Sequence, residues 1–599
     1  MLQDSETARA SNWLTNFASA LEENRPGDAA GMFCEESYWR DLIAFTWNIR
    51  TQEGRSEIAA MLKATLPNVR PARWKIQGEA STVDEATEAW FTFETSVARG
   101  KGHLRLKGDK CWTLLTTMTE LKGHEEKKGE ARIKGVEHRL TKRRENWLER
   151  KLEEEATLGY AKQPYCVIIG GGQGGIALGA RLKRLGVPTL ILERRAKPGD
   201  SWRARYKSLV LHDPIWYDHL PYLPFPDDWP IFIPKDKLGD WLEMYAKVME
   251  LNYWGSSECA HAQYDGGKGE WTVSVIKDGK EIILRPKQLV FATGAYGPPN
   301  EPEFPGRGNF KGEQCHSSQY ADGAKYAGKN CIVVGSNNSA HDVCANLWEN
   351  GATVTMIQRS STHVVKSDSL MEYGFADLYS EKALKRGITT DKADLLFAST
   401  PFRIMHKGQI AIYEQIAKKD AAFYDALRKS GFMLDFGDDG SGLMMKALRR
   451  GSGYYIDVGA SEHIANGDIK LKSGVTITEI KDHSVALSDG SELPADLIVY
   501  ATGYGSMNGW VEQIVSKEVA DKVGKCWGFG SNTTNDPGPW EGELRNMWKP
   551  TSQPGLWFHG GNLHLSRHYS QFLALQMKAR MESIPTPVFG SPSNSGGQV

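Results

Sequence analysis

The stretch that decides the fold runs from Cys166 to Glu193 and reads CVIIGGGQGGIALGARLKRLGVPTLILE. Its first four residues are apolar and predict a buried strand, and the glycines after them predict a tight turn. Leucines at helical spacing predict a helix that covers the sheet, and a second apolar strand follows. The order of strand, glycine-rich turn, helix, strand and acid predicts a dinucleotide-binding unit.

The glycines of this turn have separate roles. Gly170 permits the sharp turn, Gly172 lets the backbone approach a pyrophosphate, and Gly175 lets the helix pack on the strand, with Gly174 in the same turn. The free N–H groups at the start of the helix would face the phosphates. Glu193 would accept hydrogen bonds from ribose hydroxyls and repel a 2′-phosphate. Such a unit holds FAD or NAD.

A second unit of this kind begins at Cys331, where the sequence reads CIVVGSNNSAHD. Asn337 stands where a second glycine is expected, and because Asn tolerates positive φ, we expect the turn to keep its shape. The next strand ends at Arg359, which suits a 2′-phosphate, so this site should prefer NADP over NAD. An Arg359 that is merely exposed is the alternative. The residues expected to contact this nucleotide are Gly335, Asn337, Asn338, Ser339 and Arg359.

Composition describes an ordinary globular chain. With 599 residues, 40% of them hydrophobic and 25% charged, it should form two to four domains. The net charge of −1 implies neither nucleic acid nor an anionic membrane as partner. No apolar run reaches the roughly 18 residues of a membrane span, and the acidic N-terminus lacks a signal-peptide pattern. The eight cysteines include no Cys-x-x-Cys pair, which predicts reduced thiols in a cytoplasmic protein and argues against zinc or a redox disulfide.

Residues 1–125 carry no glycine fingerprint. Apolar spacing predicts a helix over 7–22, a strand at Phe33–Leu42 and a helix from Gly54 to about Leu66. Later strand-like runs lie around residues 72–76, 89–93, 103–106 and 111–117. Helices followed by a curved antiparallel sheet resemble the SnoaL-like cone fold.

Such cones enclose an apolar pocket or pair into dimers, so we expect a role in binding or in forming a homodimer, and no catalysis. Trp39, Asp41 and Arg50 are candidates to line a pocket, and ordinary core and surface positions are the alternative.

Three further motifs lie between the two nucleotide units. They read GDSW at 199–202, YKSLVLHDP at 206–214 and FKGEQCHSSQY at 310–320. Together with the fingerprints, they resemble the flavin-containing monooxygenases, including the plant-type auxin-forming branch, over about residues 161–585. The related Baeyer–Villiger enzymes end the last motif in Trp followed by Pro or Asp, whereas this chain has Tyr320 followed by Ala, which favours the first family.

The resemblance implies roles for individual residues. Ser201 and Trp202 would lie beside the flavin. His212 occupies a position where many members have Asn and where the residue touches the flavin, so it is a catalytic candidate, with a scaffold role as the alternative. His316 and Tyr320 would hold the domain junction by hydrogen bonds, a direct proton-transfer role for His316 being the alternative.

Two Ala-Thr-Gly strand ends resemble the points where such flavoproteins cross between their domains. They place Thr293 and Gly294 at the first crossing and Thr502 and Gly503 at the second. The predicted fold class is therefore α/β, with two Rossmann-like domains, the second inserted in the first, after a small α+β domain. The predicted spans are 1–125 (SnoaL-like), 126–160 (charged helical linker), 161–325 (FAD-binding, first part), 326–475 (NADP-binding), 476–585 (FAD-binding, second part) and 586–599 (flexible tail).

The resemblance also implies a reaction. NADPH would reduce FAD, O2 would add to the flavin to give a C4a-(hydro)peroxide, and one oxygen atom would pass to a small-molecule substrate. Oxygenation of a heteroatom and attack on a carbonyl, as in Baeyer–Villiger chemistry or decarboxylation of a 2-oxo acid, both stay open. Two different functions also stay open, namely an NADPH oxidase that makes hydrogen peroxide and a non-catalytic binding or scaffold protein.

Overall fold

The computed structural model describes residues 6–135 and 144–590. Most of the predicted tail at 586–599 lies outside the described residues. No helix in these two ranges is long and apolar enough to cross a membrane.

The strands, in chain order, belong to an N-terminal sheet, two parallel sheets and three small sheets. They are β1 Phe33–Leu42, β2 Ile49–Glu53, β3 Ala72–Val83, β4 Ala86–Glu94, β5 Ala98–Lys107, β6 Lys110–Leu121, β7 Cys166–Ile169, β8 Thr189–Leu192, β9 Tyr253–Trp254, β10 Ser257–Asp265, β11 Glu270–Lys277, β12 Lys280–Leu284, β13 Gln288–Phe291, β14 Glu313–His316, β15 Asn330–Val334, β16 Thr353–Gln358, β17 His363–Lys366, β18 Tyr454–Asp457, β19 Lys470–Ser473, β20 Ile477–Ile480, β21 Ser484–Leu487, β22 Glu492–Pro494, β23 Leu497–Tyr500 and β24 Leu556–Phe558.

The helices concentrate at the N-terminus, beside the two parallel sheets and between residues 367 and 450. They are α1 Glu6–Glu22, α2 Pro26–Gly31, α3 Gly54–Val69, α4 Trp147–Thr157, α5 Gln173–Arg184, α6 Asp200–Arg203, α7 Lys235–Val248, α8 Asn338–Glu349, α9 Ser367–Ser369, α10 Glu381–Lys385, α11 Thr390–Ala398, α12 Phe402–Lys419, α13 Ala421–Lys429, α14 Gly442–Arg450, α15 Ala460–Asn466, α16 Asn508–Ile514, α17 Lys517–Val523 and α18 Leu563–Met581. A π-helical stretch, Leu370–Phe375, follows α9.

The N-terminal sheet has six strands in the order β2-β1-β6-β5-β4-β3. The predicted first helix and first strand are confirmed. The sheet is mixed rather than antiparallel throughout, because β1 runs parallel to β6. Helix α3 continues past Leu66 to Val69 with Pro67 inside it. The proline removes one backbone hydrogen bond, and burial of Leu66 and Val69 holds the last turn in place.

Two parallel five-stranded sheets follow, in the orders β24-β13-β7-β8-β9 and β14-β23-β15-β16-β19. The first sheet combines strands from residues 166–291 with β24 near the C-terminus, so the chain leaves this sheet and later returns to it. Strand β14, near the end of the span 161–325, pairs with β23, which lies early in the span 476–585, and β23 also pairs with β15 within the second sheet. Both sheets have the Rossmann-type arrangement of the predicted α/β class.

One hydrophobic core joins the N-terminal sheet to the first parallel sheet. Its buried members include Phe17 and Trp39 of the N-terminal part, Ile168 of β7, and Trp548 and Phe572 near the C-terminus. Trp548 stacks on Tyr569 of α18 with the ring centroids 3.9 Å apart. The N-terminal sheet therefore packs on the same elements that support the first nucleotide turn.

Candidate functional site: two nucleotide turns and their junction

The first glycine-rich turn forms a cradle between β7 and α5. Gly170 has φ 107°, and a Cβ on it would lie 2.4 Å from the Ala292 carbonyl oxygen. A Cβ on Gly175 would lie 2.0 Å from the Gly170 carbonyl oxygen, so close packing of helix on strand excludes any side chain there. A Cβ on Gly172 would meet only Ser201 Oγ within 4 Å, at 3.7 Å. The open space at Gly172 fits a pyrophosphate.

Glu193 lies at the end of β8 and braces this turn. Its Oε2 accepts a hydrogen bond from the Gly171 N–H and its Oε1 accepts one from the Arg195 N–H, both at 2.9 Å. The carboxylate is buried and faces the turn, and its two oxygens keep lone pairs that are not used by these two contacts.

Three distant segments meet beside the cradle. The Trp202 indole N–H donates to Gln173 Oε1 at 3.2 Å, and Gln173 Nε2 donates to the Gly561 carbonyl oxygen at 3.3 Å. A Cβ on Gly174 would lie 3.5 Å from the His559 ring and 3.6 Å from Ser566 Oγ. These contacts bring the GDSW turn, the start of α5 and the start of α18 together.

Two hydroxyl oxygens here, Thr293 Oγ1 and Ser566 Oγ, are buried without a hydrogen-bond partner among the described residues. Buried polar atoms in folded proteins are usually hydrogen-bonded, so these two are free to bond a cofactor in the cradle. With the open space at Gly172, they make the site fit FAD.

The second turn repeats this geometry between β15 and α8. Gly335 has φ 126°, and a Cβ on it would lie 2.4 Å from the Ala501 carbonyl oxygen. The two Ala-Thr-Gly segments thus cross directly over the first glycine of each turn.

The backbone of Asn337 is not in the positive-φ conformation that the sequence analysis allowed for. Asn337 precedes α8 with φ −96° and ψ −169°, almost the conformation of Gly172, with φ −75° and ψ −169°. Any residue adopts this extended backbone, so the tolerance of Asn for positive φ is not needed. Thr362 Oγ1 donates to Asn337 Oδ1 at 3.5 Å, which draws the side chain toward β17.

The other residues of the second site lie at the start of α8 and the end of β16. Asn338 Oδ1 accepts from the Ile456 N–H at 2.9 Å, and Ser339 lies in the first helical turn. Arg359 follows the last residue of β16 and is exposed. This exposure agrees both with a contact to a 2′-phosphate and with the alternative of an arginine that is merely exposed.

His212 joins the two nucleotide units. Its Nε2 lies 3.3 Å from Asp342 Oδ2 on α8, and the Tyr206 hydroxyl donates to the same oxygen at 2.5 Å. Burial lowers the pKa of His212, but the Asp342 carboxylate outweighs it, so the net pKa is raised. The imidazole of His212 therefore holds a proton more tightly at this junction than a free imidazole does.

His316 and Tyr320 hold the second crossing, as the sequence analysis predicts. His316 Nε2 lies 3.1 Å from the Gly503 carbonyl oxygen, and its Nδ1 lies 2.9 Å from Ser318 Oγ. The Tyr320 hydroxyl donates to Asn346 Oδ1 on α8 at 2.7 Å. Both nitrogens of His316 are engaged in these contacts.

The part of the chain that carries the two nucleotide turns is similar to known proteins. A family model described as pyridine nucleotide-disulphide oxidoreductase matches residues 268–436. The indole-3-pyruvate monooxygenase YUCCA1 of Oryza sativa subsp. japonica is 32% identical over 345 residues, which cover 57% of this chain and 77% of the relative. The chain belongs to the flavin monooxygenase family. It is an enzyme of the flavin monooxygenase type, with FAD and NADP as its cofactors.

Other matches agree with this membership. YUCCA4 of the same rice, also an indole-3-pyruvate monooxygenase, is 30% identical over 383 residues, which cover 61% of this chain and 80% of the relative. The epsilon-caprolactone-bound structure of cyclohexanone monooxygenase has a TM-score of 0.51 at 19% identity, and the match covers 70% of this chain and 88% of that one. This second likeness concerns the fold alone.

Helix α18 of this flavin monooxygenase begins at Leu563, because Asn562 caps it by accepting from the Leu565 N–H at 3.0 Å. Asn562 Nδ2 also lies 3.4 Å from Asp213 Oδ2 and 3.3 Å from the Tyr217 hydroxyl. The helix start is therefore tied to the segment that carries His212.

A buried charge network behind this helix start was missed from the sequence. Arg567 makes a bidentate contact to Asp394, at 2.8 and 2.7 Å. The Tyr379 hydroxyl lies 3.0 Å from Asp394 Oδ1 and 3.1 Å from His564 Nε2. Burial raises the pKa of Asp394, but Arg567 and His564 outweigh it, and the net pKa is lowered. The one signal in the sequence is the polar run RHYS at 567–570, which lies inside this helix.

Of the three residues expected to line a pocket in the N-terminal domain, two lie in its core and one lines a cavity. Trp39 and Asp41 are buried and bonded to Thr116 Oγ1, at 2.8 and 2.7 Å, so they are core residues. Arg50 lines a large cavity between this domain and the rest of the chain.

Proposed function

We propose that this protein is an NADPH-dependent FAD monooxygenase that transfers one oxygen atom of O2 to a small organic substrate. The observation that carries the proposal is the matched pair of nucleotide turns, each crossed so closely by an Ala-Thr-Gly segment that a Cβ on the first glycine would lie 2.4 Å from the Ala carbonyl oxygen. The acid Glu193 follows the first turn and Arg359 follows the second. Opposite charges at the two ribose positions support FAD in the first site and NADP in the second.

We propose a domain division that follows the strand pairing. Residues 1–125 would be the SnoaL-like domain, supported by six strands packed with three helices. Residues 126–160 would be the linker, of which Trp147–Thr157 is helical. An NADP domain from about 313 to 500 would be inserted in an FAD domain made of the segments before and after it.

The residues proposed to hold the cofactors follow from this geometry. For FAD they are Gly170, Gly172, Gly174, Gly175, Glu193, Ser201, Trp202, His212, Thr293 and Gly294. For NADP they are Gly335, Asn337, Asn338, Ser339, Arg359, Thr502 and Gly503. The chemistry that bound FAD supplies is hydride acceptance and oxygen activation.

His212 is proposed to act at the cofactor junction. The contact to Asp342 holds a proton on the imidazole and fixes its ring, so that one edge stays directed to α8. Asn562 and Asp213 fix the neighbouring start of α18, whose free N–H groups favour negative charge. These side chains would orient the two cofactors and keep water from the space between them.

The substrate class to test first follows from the relatives. The two rice proteins are named for indole-3-pyruvate, which is a 2-oxo acid. We therefore propose a 2-oxo acid as the first candidate, with amines and sulfides as the second.

The test is oxygen stoichiometry with purified, flavin-loaded enzyme under ¹⁸O2. One labelled oxygen atom in the product for each NADPH consumed, with little hydrogen peroxide, is the expected result. Peroxide equal to the NADPH consumed, with every substrate class, would identify an oxidase instead. Protein that binds no flavin would support a scaffold role. NADH replacing NADPH at equal efficiency would contradict the assignment of Arg359.

A further inference from the structure

A cavity of about 880 Å³ lies where the N-terminal sheet meets the nucleotide-binding part of the chain. One wall is β2 with Asn48 and Glu57, a second is formed by residues 523–550, and a third by the segments after the two crossings. Cavities that hold small molecules span about 300 to 1,000 Å³. Neither glycine-rich turn lies on its lining, which reaches the cofactor crossings only at Ala295 and Tyr504.

Most acidic side chains on this lining are already neutralised. Glu53 pairs with Arg403 at 3.0 Å and accepts from the Trp540 indole N–H at 2.6 Å. Asp536 and Glu541 both pair with Arg545, at 3.0 and 2.7 Å.

Several basic side chains on the same lining have no carboxylate within ion-pair distance in the described parts of the chain. Arg450 Nε donates only to the Ser452 carbonyl oxygen at 2.8 Å, and Arg50 donates only to the Gly590 carbonyl oxygen at 3.3 Å. Lys525 and Lys549 are the other basic side chains of the lining without such a carboxylate in the described residues. Burial lowers the pKa of Lys549, and the carboxylates of Glu543 and Glu541 do not restore it. An anion in the cavity would supply the missing charge.

The cavity also has an aromatic wall. Tyr296 and Tyr504, which follow the two crossings, stack with ring centroids 5.6 Å apart. Tyr296 keeps 39% of its surface exposed, and the Trp540 ring lies on another side of the cavity. Such rings offer a flat ligand a stacking surface.

We propose that this cavity binds a small aromatic carboxylate, and that the N-terminal domain exists in this enzyme to close the site. The carboxylate would lie against Arg450 and Lys549, and the ring against the tyrosines. Because Arg50 comes from the N-terminal domain, the ligand bridges both sides of the interface and strengthens their contact. The inference goes beyond the proposed oxygenation and does not depend on it.

The experiment is calorimetric titration of the flavin-loaded enzyme with benzoate, and with benzamide as its neutral isostere. Benzoate should bind and benzamide should bind at least about tenfold more weakly. Lys549→Met and Arg450→Gln should each weaken benzoate about tenfold, whereas Lys549→Arg should restore binding. Lys517→Met is the matched control, since Lys517 is an exposed partner of Asp521 and lies away from the cavity lining.

Other outcomes would overturn the proposal. These are equal affinity for benzoate and benzamide, no heat with millimolar benzoate, or wild-type affinity in both variants. Should Lys549→Met fail to fold, Arg450→Gln tests the proposal instead. This variant should fold, because the Arg450 side chain donates to only one backbone carbonyl oxygen, that of Ser452, in the described parts of the chain. Flavin content and NADPH oxidation are measured on the same samples, so that failure of the proposed oxygenation is seen separately.

Discussion

Replacing Arg40 with Met should destabilise the whole enzyme, because this side chain joins four parts of the chain. Its Nε and Nη2 each donate to one oxygen of Glu543 at 2.7 Å. Its Nη1 donates to the Ala398 carbonyl oxygen at 2.8 Å, and Nη2 lies 3.1 Å from the Tyr569 hydroxyl. Only 1% of the side chain is exposed.

The magnitude follows from what Arg40→Met leaves behind. The Glu543 carboxylate, 3% exposed, would keep only the Thr51 hydroxyl, at 2.7 Å, from its present side-chain partners. An uncompensated buried charge costs about 3–5 kcal/mol. Replacing both residues by apolar ones removes that charge, so the double variant Arg40→Met/Glu543→Met should recover at least half of the loss.

The assay is urea unfolding followed by circular dichroism and flavin fluorescence, with linear extrapolation of the free energy of unfolding. Arg25→Met is the matched control in the same domain, because Arg25 pairs with Glu23 at the exposed surface, and no measurable change is expected. A loss below about 1 kcal/mol in Arg40→Met, or a double variant no more stable than the single one, would refute the reasoning.

Three further predictions concern the cofactor sites. Arg359→Gln should lower kcat/KM for NADPH about 10- to 100-fold and leave that for NADH unchanged, because it removes one charge-assisted contact, as steady-state kinetics would show. Gly175→Ala should abolish the folded, flavin-bound form, since its Cβ would lie 2.0 Å from a carbonyl oxygen, whereas Gly172→Ala should fold and lose only flavin affinity, by absorbance and circular dichroism. The raised pKa of His212 keeps the ring protonated above its ordinary pKa of about 6.5. The rate of flavin reduction by NADPH, measured by anaerobic stopped-flow absorbance, should therefore fall only at higher pH. Asp342→Asn should move this fall in rate to lower pH, because it removes the carboxylate that raises the pKa.

The nucleotide turns could be predicted from the sequence because their determinants are local. Gly170 and Gly175 lie five positions apart, and the clash that excludes a side chain at Gly175 is with Gly170 itself. The turn at Asp278 and Gly279, which joins the antiparallel strands β11 and β12, is equally local. Such features need no knowledge of distant segments.

The long-range contacts could not be predicted, because each joins residues far apart in the chain. Asp394 and Arg567 are 173 positions apart, and Arg40 and Glu543 are 503 apart. Nothing in the local pattern of either partner indicates the other, and a lone charged residue in an apolar stretch reads as exposed. Asn337 was misread for a different reason, since the backbone at the second glycine position is extended.

The most direct test of the account is rapid mixing of NADPH-reduced enzyme with oxygen-saturated buffer, followed by absorbance in the flavin bands. The account predicts a species that lacks the oxidised-flavin bands, persists after oxygen is consumed and decays faster when a substrate is added. Immediate return of oxidised flavin with one hydrogen peroxide per NADPH, with and without every substrate tested, would contradict it.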